Sequence, residues 1–561
     1  MPQSTLVRPR VLSMLPCALP EAELTEILFG SKAELARATA EELQIEVTPD
    51  RLDLLSEGGL GLLLQGATGS AKGLPKLLTR APEPTWTVRV DPSVAPLRPE
   101  IAAVVVVAPP GASLDAGLLA EAVRFQEILH ATVGLDRRLA SLGIYPMERL
   151  TPPFRYALEP IDGVRLVPLD GVDWVAAREF LSSHPLTRRY GAYGTSGDRM
   201  LTLRDKEGTL LSIPPILNTR DGGEARVGDR ILLIESTGSR ASRVAEGVGL
   251  LELVFRARGW SASPVRIEFP DRSDDGRRLV ESRSLDLPAA TLSAVSGRAH
   301  SAAEVEHLLA RARLGSHPHP HGWTVEIPPW RPDLLTHVDL VEDVVLARGV
   351  RAEDGELPPS RTIGRRRPET RFRRSVAATL LGLGYVPLYT PVLVSEEAVQ
   401  LLGRTDSVAL TNPVSDQFAR MRDRLQIALV QVLGRNVRRP YPQRFSEVGP
   451  VVVPDGRSES GARTSYHAGV FEASESAGFA DAAALADYLL AGFDARGVRE
   501  PVELPGTIPG RAARLRVAGE TVAEIGEIHP SVLASLGVPV PVAWMEVDLT
   551  ALWPLVRRTA D

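Results

Sequence analysis

Three prolines stand between a strand and a helix, and the stretch that holds them constrains the chain more than any other. In Val325-Glu-Ile-Pro-Pro-Trp-Arg-Pro-Asp333, Pro328, Pro329 and Pro332 remove backbone donors and restrict the residues before them, so helix is excluded there. The alternating start reads as a short strand. Thr336 then caps a predicted helix that runs to Gly349, a C-terminal stop. Asp339, Glu342 and Asp343 are three and four residues apart and share one helix face. Asp333 lies just upstream in the turn. Four carboxylates near one helix start repel each other, and the expected remedy is a cation.

The stretch has an echo. Residues 45–56, laid over 325–336, put Glu46 on Glu326, Pro49 on Pro329, Arg51 on Arg331 and Asp53 on Asp333. Leu54, Leu55 and Ser56 fall on Leu334, Leu335 and Thr336. A Leu-rich helix follows each time, the first ending at Gly66. We read a duplicated helix–strand–turn–helix module, with Arg-x-Asp as a buried pair that locks each turn. The first copy has Gly58, Gly59 and Gly61 where the second carries its extra acids.

A chain of 561 residues is too long for one core, and three to four domains are expected. No run approaches the ~18 apolar residues of a membrane helix, and the N-terminus lacks a basic, apolar leader. The single cysteine, Cys17, excludes an internal disulfide framework and a Cys-based zinc site, and is expected in a core or interface. Together these predict a soluble protein of the reducing cytoplasm. The net charge of −6 carries no global nucleic-acid signal. Basic charge is local: Arg361, Arg365, Arg366, Arg367, Arg371, Arg373 and Arg374 crowd one linker and helix start. A solvated linker and a contact with RNA or an acidic partner both fit. His317, His319 and His321 alternate with prolines and read as a hairpin tip, with a transition-metal site as the rival.

Composition and periodicity divide the chain into residues 1–85 (first module), 86–270 (a compact α+β domain), 271–350 (second module), 351–370 (Arg-rich linker) and 371–561. The first module is expected to contain a helical turn at Val11–Leu15, stopped by Pro16, and a helix at Glu21–Phe29. The α+β domain is expected to have strands at Thr87–Val90, Ala102–Val107, Leu142–Tyr145, Met200–Leu203, Leu210–Ile213, Ile231–Glu235 and Val265–Phe269. Helices are expected at Asp115–Leu129, Val172–His184 and Arg240–Arg258. The last domain should pair an Arg371–Leu383 helix with strands at 386–394 and 407–411, a long Gln417–Arg439 helix, and an antiparallel sheet from Phe445 to about residue 549.

Several motifs fall in one order along the chain. They include Thr48-Pro-Asp-Arg-Leu-Asp-Leu-Leu-Ser56, Val90-Asp-Pro-Ser-Val94, Phe125-Gln-Glu-Ile-Leu-His130 and Leu142-Gly-Ile-Tyr145. They continue with Ser212-Ile-Pro-Pro-Ile-Leu-Asn218, Arg331–Gly349, Asn412-Pro-Val-Ser415, Arg439-Pro-Tyr-Pro-Gln-Arg-Phe-Ser-Glu-Val-Gly449 and Ile525-Gly-Glu-Ile-His-Pro530. Each is weak alone. In this order the chain resembles the β subunit of phenylalanine–tRNA ligase, a class II aminoacyl-tRNA synthetase, in its short archaeal/eukaryotic form. The resemblance implies an α+β multidomain fold. Its parts would be two small winged-helix-like modules, the second B5-like, an editing (B3/B4-like) domain over 86–270, and a catalytically silent class II domain with an antiparallel sheet. It implies an α subunit as partner in an (αβ)₂ heterotetramer, tRNA(Phe) as substrate, and Mg2+.

The resemblance also suggests sites. Asp333, Asp339, Glu342 and Asp343 fall on positions the family uses for magnesium, and an all-oxygen set suits a hard cation. Helix capping competes for Asp339 and Glu342. Ser212, Asn218, Glu235 and Thr237 become candidates for hydrolysing tyrosine misattached to tRNA, with His130, Arg137 and Arg138 as weaker ones. For Ser212 and Asn218, backbone capping around the double-proline turn competes. Glu235-Ser-Thr-Gly238 stands where the family commonly has Asp-Val-Thr-Gly, Arg226–Ile231 replaces its usual approach, and Met421-Arg-Asp-Arg-Leu425 replaces Leu-Arg-Thr-Ser-Leu. In the last domain, Glu524, Glu527 and His529 stand where a class II enzyme would hold triphosphate with arginine. Asn412, Glu447 and His529 are expected to serve turns and core hydrogen bonds. The rival functions are a divergent duplicate with lost editing, a stand-alone trans-editing hydrolase, and a nucleic-acid-binding regulator.

Overall fold

The computed structural model describes residues 2–349, 357, 362–403 and 406–556. It is an α+β chain of two compact units, 1–357 and 358–561. Arg361 and most of the 351–361 segment lie outside the described residues.

The first unit begins with a three-stranded sheet in the order Gln3–Val7, Glu42–Val47, Ala33–Ala38. Helices Arg8–Leu12 and Glu21–Phe29 connect the first two strands in sequence. Near the unit's end, Arg283–Pro288, Gly322–Ile327 and Gly315–His319 form a second three-stranded sheet. In both, the strand that is last in sequence lies in the middle, and in both it runs into a turn and a helix. The first helix, Glu57–Ala67, is capped by Ser56, whose side chain accepts from Gly59 N. A Cβ at Gly59 would come within 1.9 Å of the Asp53 carbonyl, so the glycine lets this helix close onto its own turn. The second helix, His337–Arg348, has the predicted cap: Asp339 Oδ2 accepts from Thr336 N at 2.7 Å.

The strands Gln3–Val7 and Ala33–Ala38 had no clear sequence signal. The first alternates strictly between exposed and buried residues and the second does not, and both are held by pairing with Glu42–Val47. Cys17 is exposed, which rules out the core position expected as one alternative. His317, His319 and His321 lie at an exposed hairpin end, where His317 Nε2 is 3.4 Å from Glu326 and His319 Nδ1 accepts from His321 N.

Between the modules in sequence lies a sandwich. Its inner sheet has four antiparallel strands in the order Ser261–Pro264, Glu100–Val107, Ile231–Gly238, Ala140–Pro146. Alternation gives each strand two different faces. Ala102, Val104, Val106, Leu232 and Ile234 pack against helices Ala116–Ala131 and Ala241–Arg256. Ile101, Ala103, Val105 and Leu233 pack against a larger sheet containing Phe154–Pro160, Arg199–Arg204 and Leu210–Ile213. The expected Val172–His184 helix is instead a strand pair partner, Val175–Ala176, then helices Ala177–Ser183 and Pro185–Gly194. Pro185 breaks the first helix and starts the second, where a missing N–H costs nothing.

The second unit is built on a seven-stranded sheet, antiparallel except at the edge strand Val386–Pro387. Helices Pro368–Gly382 and Phe479–Ala491 cover the face bearing Val470, Ile525 and Met545. Helix Leu425–Arg435 covers the face bearing Phe471, Ile528 and Trp544. The expected Gln417–Arg439 helix is shorter, Leu425–Arg435, because Arg420–Met421 is a short strand. Fully buried Arg422 donates to the Pro450 carbonyl and to Glu447, and its own N–H bonds the Val392 carbonyl. These tertiary bonds outweigh a weak local helix preference. The expected 407–411 strand is reduced to a single bridge between Ala409 and Arg420. Arg365, Arg366, Arg367, Arg371 and Arg374 are exposed, whereas Arg373 lies 3.6 Å over the Tyr466 ring.

Candidate functional site

A cavity of about 220 Å³ lies where the two sheets of the sandwich meet. Strand pairing sets Glu235 opposite Gly143 on one side and Ala103 on the other. Glu235, Thr237, Ser141 and Tyr145 thus share the face that meets the outer sheet. There Ser212 pairs with Asn218 across a short ladder. Ser212, Asn218 and Glu235 all line the cavity, with Tyr145, His130 and Arg137. Leu119, Leu142, Ile144, Leu186 and the turn from Pro214 to Leu217 make its walls apolar. An apolar slot with a few convergent polar groups is the usual form of a small-ligand site.

Thr237 does not reach that lining. It is fully buried one layer behind, its Oγ1 3.3 Å from Ser141 Oγ and its carbonyl accepting from Arg98. Asn218 makes only long contacts, donating to the Gly223 carbonyl at 3.3 Å. His130 is buried and its Nε2 accepts from Leu142 N at 2.9 Å, which leaves Nδ1 to donate to Glu127. Burial pushes its pKa down against the pull of Glu127, so the ring is neutral. Arg137 donates to the Pro215 and Ile216 carbonyls and pins the double-proline turn as a wall. Arg138 contributes a backbone carbonyl to Arg98.

Glu235 carries the unusual chemistry. It is 2% exposed, and its Oε2 has no hydrogen-bond partner. Burial pushes its carboxyl up to about 7, against a hydrogen bond from Tyr145 and the charge of Arg98. Tyr145 Oη lies 2.7 Å from Glu235 Oε1 and 2.9 Å from Ser212 Oγ. Tyr145 and Arg98 escaped the sequence reading. The available signal was Tyr145's spacing, two residues from Gly143 on the same strand face.

The carboxylates of the second module go elsewhere. Asp333 accepts from Arg331 Nε and Nη2, the latter at 2.7 Å, and Asp343 Oδ2 accepts from Arg331 Nη2 at 2.8 Å. Asp339 is spent on the helix cap, and Glu342 Oε2 lies 2.6 Å from Lys32 Nζ of the first module. Arg51 holds Asp53 in the same two-pronged way as Arg331 holds Asp333. The two pairs are close enough for Arg51 and Arg331 to sense each other. Burial raises Asp333, but Arg331 outweighs it and the net shift is downward; Asp343 stays raised by burial. Among the described residues no group of three or more His, Cys, Asp or Glu is arranged to hold a metal ion. The cation expected from the sequence is present as arginine and lysine, and the four acids do not fit a shared magnesium site.

Comparison with known proteins follows the same division. The tRNA synthetase B5 domain matches residues 285–350, and the phenylalanyl tRNA synthetase beta chain CLM domain matches residues 355–549. The phenylalanine–tRNA ligase beta subunit of Korarchaeum cryptofilum is 30% identical over 542 residues, spanning 95% of this chain and 96% of its own. The chain belongs to the phenylalanine–tRNA ligase β-subunit family. The same subunit from Aeropyrum pernix is 31% identical over the full length of both chains. The fold of the first unit resembles the crystal structure of an N-terminal fragment of the phenylalanyl-tRNA synthetase β-subunit from Pyrococcus horikoshii. That match has a TM-score of 0.57 and 22% identity, and covers 62% of this chain and 99% of the fragment.

In this β-subunit family member, the second unit has a cavity of about 370 Å³ on its sheet. Asp406, Asp423, Glu524, Glu546 and Asp548 line it, against Arg424 and His467. Arg424 pairs with Glu524, and His467 Nδ1 lies 2.7 Å from Glu546. Burial pulls His467 down, but Asp548 and Glu546 raise it to about 9. So acidic a surface repels triphosphate. Glu447 is buried and accepts from Arg422 and Thr390. His529 Nδ1 accepts from Ser531 N and caps helix Pro530–Ser535, and Asn412 is exposed. Glu447 and His529 thus serve core and cap hydrogen bonds.

Proposed function

We propose that this chain is the non-adenylating subunit of a phenylalanine–tRNA ligase, and that the sandwich cavity hydrolyses tyrosine misattached to tRNA(Phe). The partner is an α subunit that carries adenylation, in an (αβ)₂ assembly working in the cytoplasm. Among the described residues no helix is long and apolar enough to cross a membrane. The acidic lining of the second unit's cavity supports the silent role of that unit. Magnesium, which ligases of this family use with ATP, then enters through the adenylating partner and not through Asp333, Asp339, Glu342 and Asp343.

One observation carries the editing reading: Glu235 lines an apolar slot together with Ser212 and Asn218, and its buried Oε2 has no hydrogen-bond partner. A tyrosyl side chain would enter this slot and donate its hydroxyl to Oε2. Phenylalanine would leave that oxygen unpaired, which discriminates by up to roughly 10⁴-fold. Water then adds to the ester carbonyl, the bond to the ribose oxygen breaks, and the ribose hydroxyl takes back the proton. In this reading Asn218, on the cavity lining, holds the ester or the water. The test is hydrolysis of preformed tyrosyl-tRNA(Phe) by the assembled ligase. Glu235→Ala should abolish the difference between tyrosyl and phenylalanyl esters. A second reading, lost editing, is favoured by the extra methylene of Glu235 relative to the family's Asp. It predicts that wild type leaves tyrosyl-tRNA intact and Glu235→Asp restores hydrolysis.

A further inference from the structure

We propose that Tyr145 is the positioning residue that makes this cavity accept only a ligand group able to donate a hydrogen bond. Its hydroxyl touches two groups but has one proton. The carboxyl oxygen Glu235 Oε1, 2.7 Å away, is an acceptor, so the phenolic proton goes there. Ser212 Oγ, 2.9 Å away, must then supply its own proton to the Tyr145 oxygen. The chain of bonds runs Ser212 to Tyr145 to Glu235 in one direction. Both the Ser212 proton and Oε1 are consumed. A ligand reaching the end of the cavity meets Oε2 and the lone pairs of Ser212, which are acceptors once Glu235 is ionised. A phenolic hydroxyl satisfies them, and a bare phenyl ring does not.

The arrangement is built into the strand. Tyr145 is fully buried, and its ring lies back over Gly143, where a Cβ would stand 2.1 Å from the hydroxyl oxygen. Any side chain at 143 displaces the phenol. The charged and titratable groups around Glu235 are few. Arg98 enters from the segment before the inner sheet, Tyr156 comes from the outer sheet, and Tyr145 lies on the neighbouring strand. His130, Arg137, Glu127 and Glu224 line the same cavity. Of these, only Tyr145 forms a hydrogen bond to Glu235.

This inference rests on the editing reading for the identity of the ligand, but not for the action of Tyr145 on Glu235. Two measurements separate them. The first uses the full chain and follows the carboxyl infrared band that disappears in Glu235→Gln as a function of pH. Tyr145→Phe removes a bond that favours ionised Glu235, so its midpoint should rise by about one pH unit. Folded Gly143→Ala should move it the same way, because the phenol is displaced while its hydroxyl is kept. An unchanged midpoint in both variants overturns the proposal. The second uses the assembled ligase and tyrosyl-tRNA(Phe). Tyr145→Phe should lower hydrolysis about 5-fold at pH 7, approaching 10-fold below pH 6, and shift its pH profile to the alkaline side by about one unit. A profile that keeps its wild-type midpoint also overturns it. If wild type hydrolyses nothing while the infrared midpoint moves as expected, the editing reading fails and the role of Tyr145 stands.

Discussion

Lys32 Nζ lies 2.6 Å from Glu342 Oε2 and equally close to Asp50 Oδ2, so one ammonium ties the helix of the second module to the turn of the first. Arg331 likewise faces both Asp333 and Asp343, so each of the two cations is shared by two carboxylates. The acids that looked like a metal site are counter-ions of the protein's own cations.

Magnesium should therefore leave the melting temperature of the first unit unchanged in wild type and in Asp343→Asn alike. Arg331→Met should be far more harmful, because it strands two buried carboxylates; the expected loss is ~3–5 kcal/mol. Thermal melts with and without magnesium check both. A magnesium-dependent rise that vanishes in Asp343→Asn would restore the metal reading.

Glu235 should make the sandwich less stable as pH rises from about 4.5 to about 7. In that window the unfolded carboxyl has released its proton and the folded one has not. The penalty then stays constant, on the order of 3 kcal/mol for the full shift. Glu235→Gln should gain stability relative to wild type at pH 8 and lose that gain at pH 4. Denaturant unfolding at the two pH values reads the difference.

His467 should act in the opposite sense. Its folded pKa is raised to about 9 by Asp548 and Glu546 against burial, so its stabilising contribution is complete below about 6.5 and lost as pH rises through 9. The second unit of wild type should weaken between these values. His467→Gln should be less stable at pH 6 and should lack most of that decline. Parallel slopes in the two proteins would place the titration elsewhere.

The chain by itself should show no phenylalanine-dependent exchange between ATP and pyrophosphate, and exchange should appear when the α subunit is added. Radiolabelled pyrophosphate gives the readout. Exchange by the purified single chain would overturn the silent role assigned to the second unit.

Local rules were legible without the fold. Helix Glu21–Phe29, strands Thr87–Val90 and Leu210–Ile213, and the cap on His337–Arg348 depend on neighbours in sequence, through proline, capping and alternation. The two Arg-x-Asp turns were readable for the same reason: each pair closes over two residues. Ser212, Asn218 and Glu235 were singled out by resemblance to the family, and they line one cavity. Spacing says which residues share a face, but not what stands opposite that face.

What stands opposite was decided by the tertiary structure alone. Periodicity put Asp339, Glu342 and Asp343 together on a helix, yet their partners are a cap, Lys32 and Arg331, because a charge settles on the nearest counter-charge in space. Residues 420–423 gave up helix for the bonds of a buried arginine. Thr237 was displaced from the cavity wall, and Tyr145 took a central position there through a register that sets Glu235 opposite Gly143. The sequence by itself determined the elements, the turns and the family. Only the packing of one sheet on another decided that Glu235 Oε2 is left unpaired, because desolvation and hydrogen bonding depend on neighbours brought together by folding.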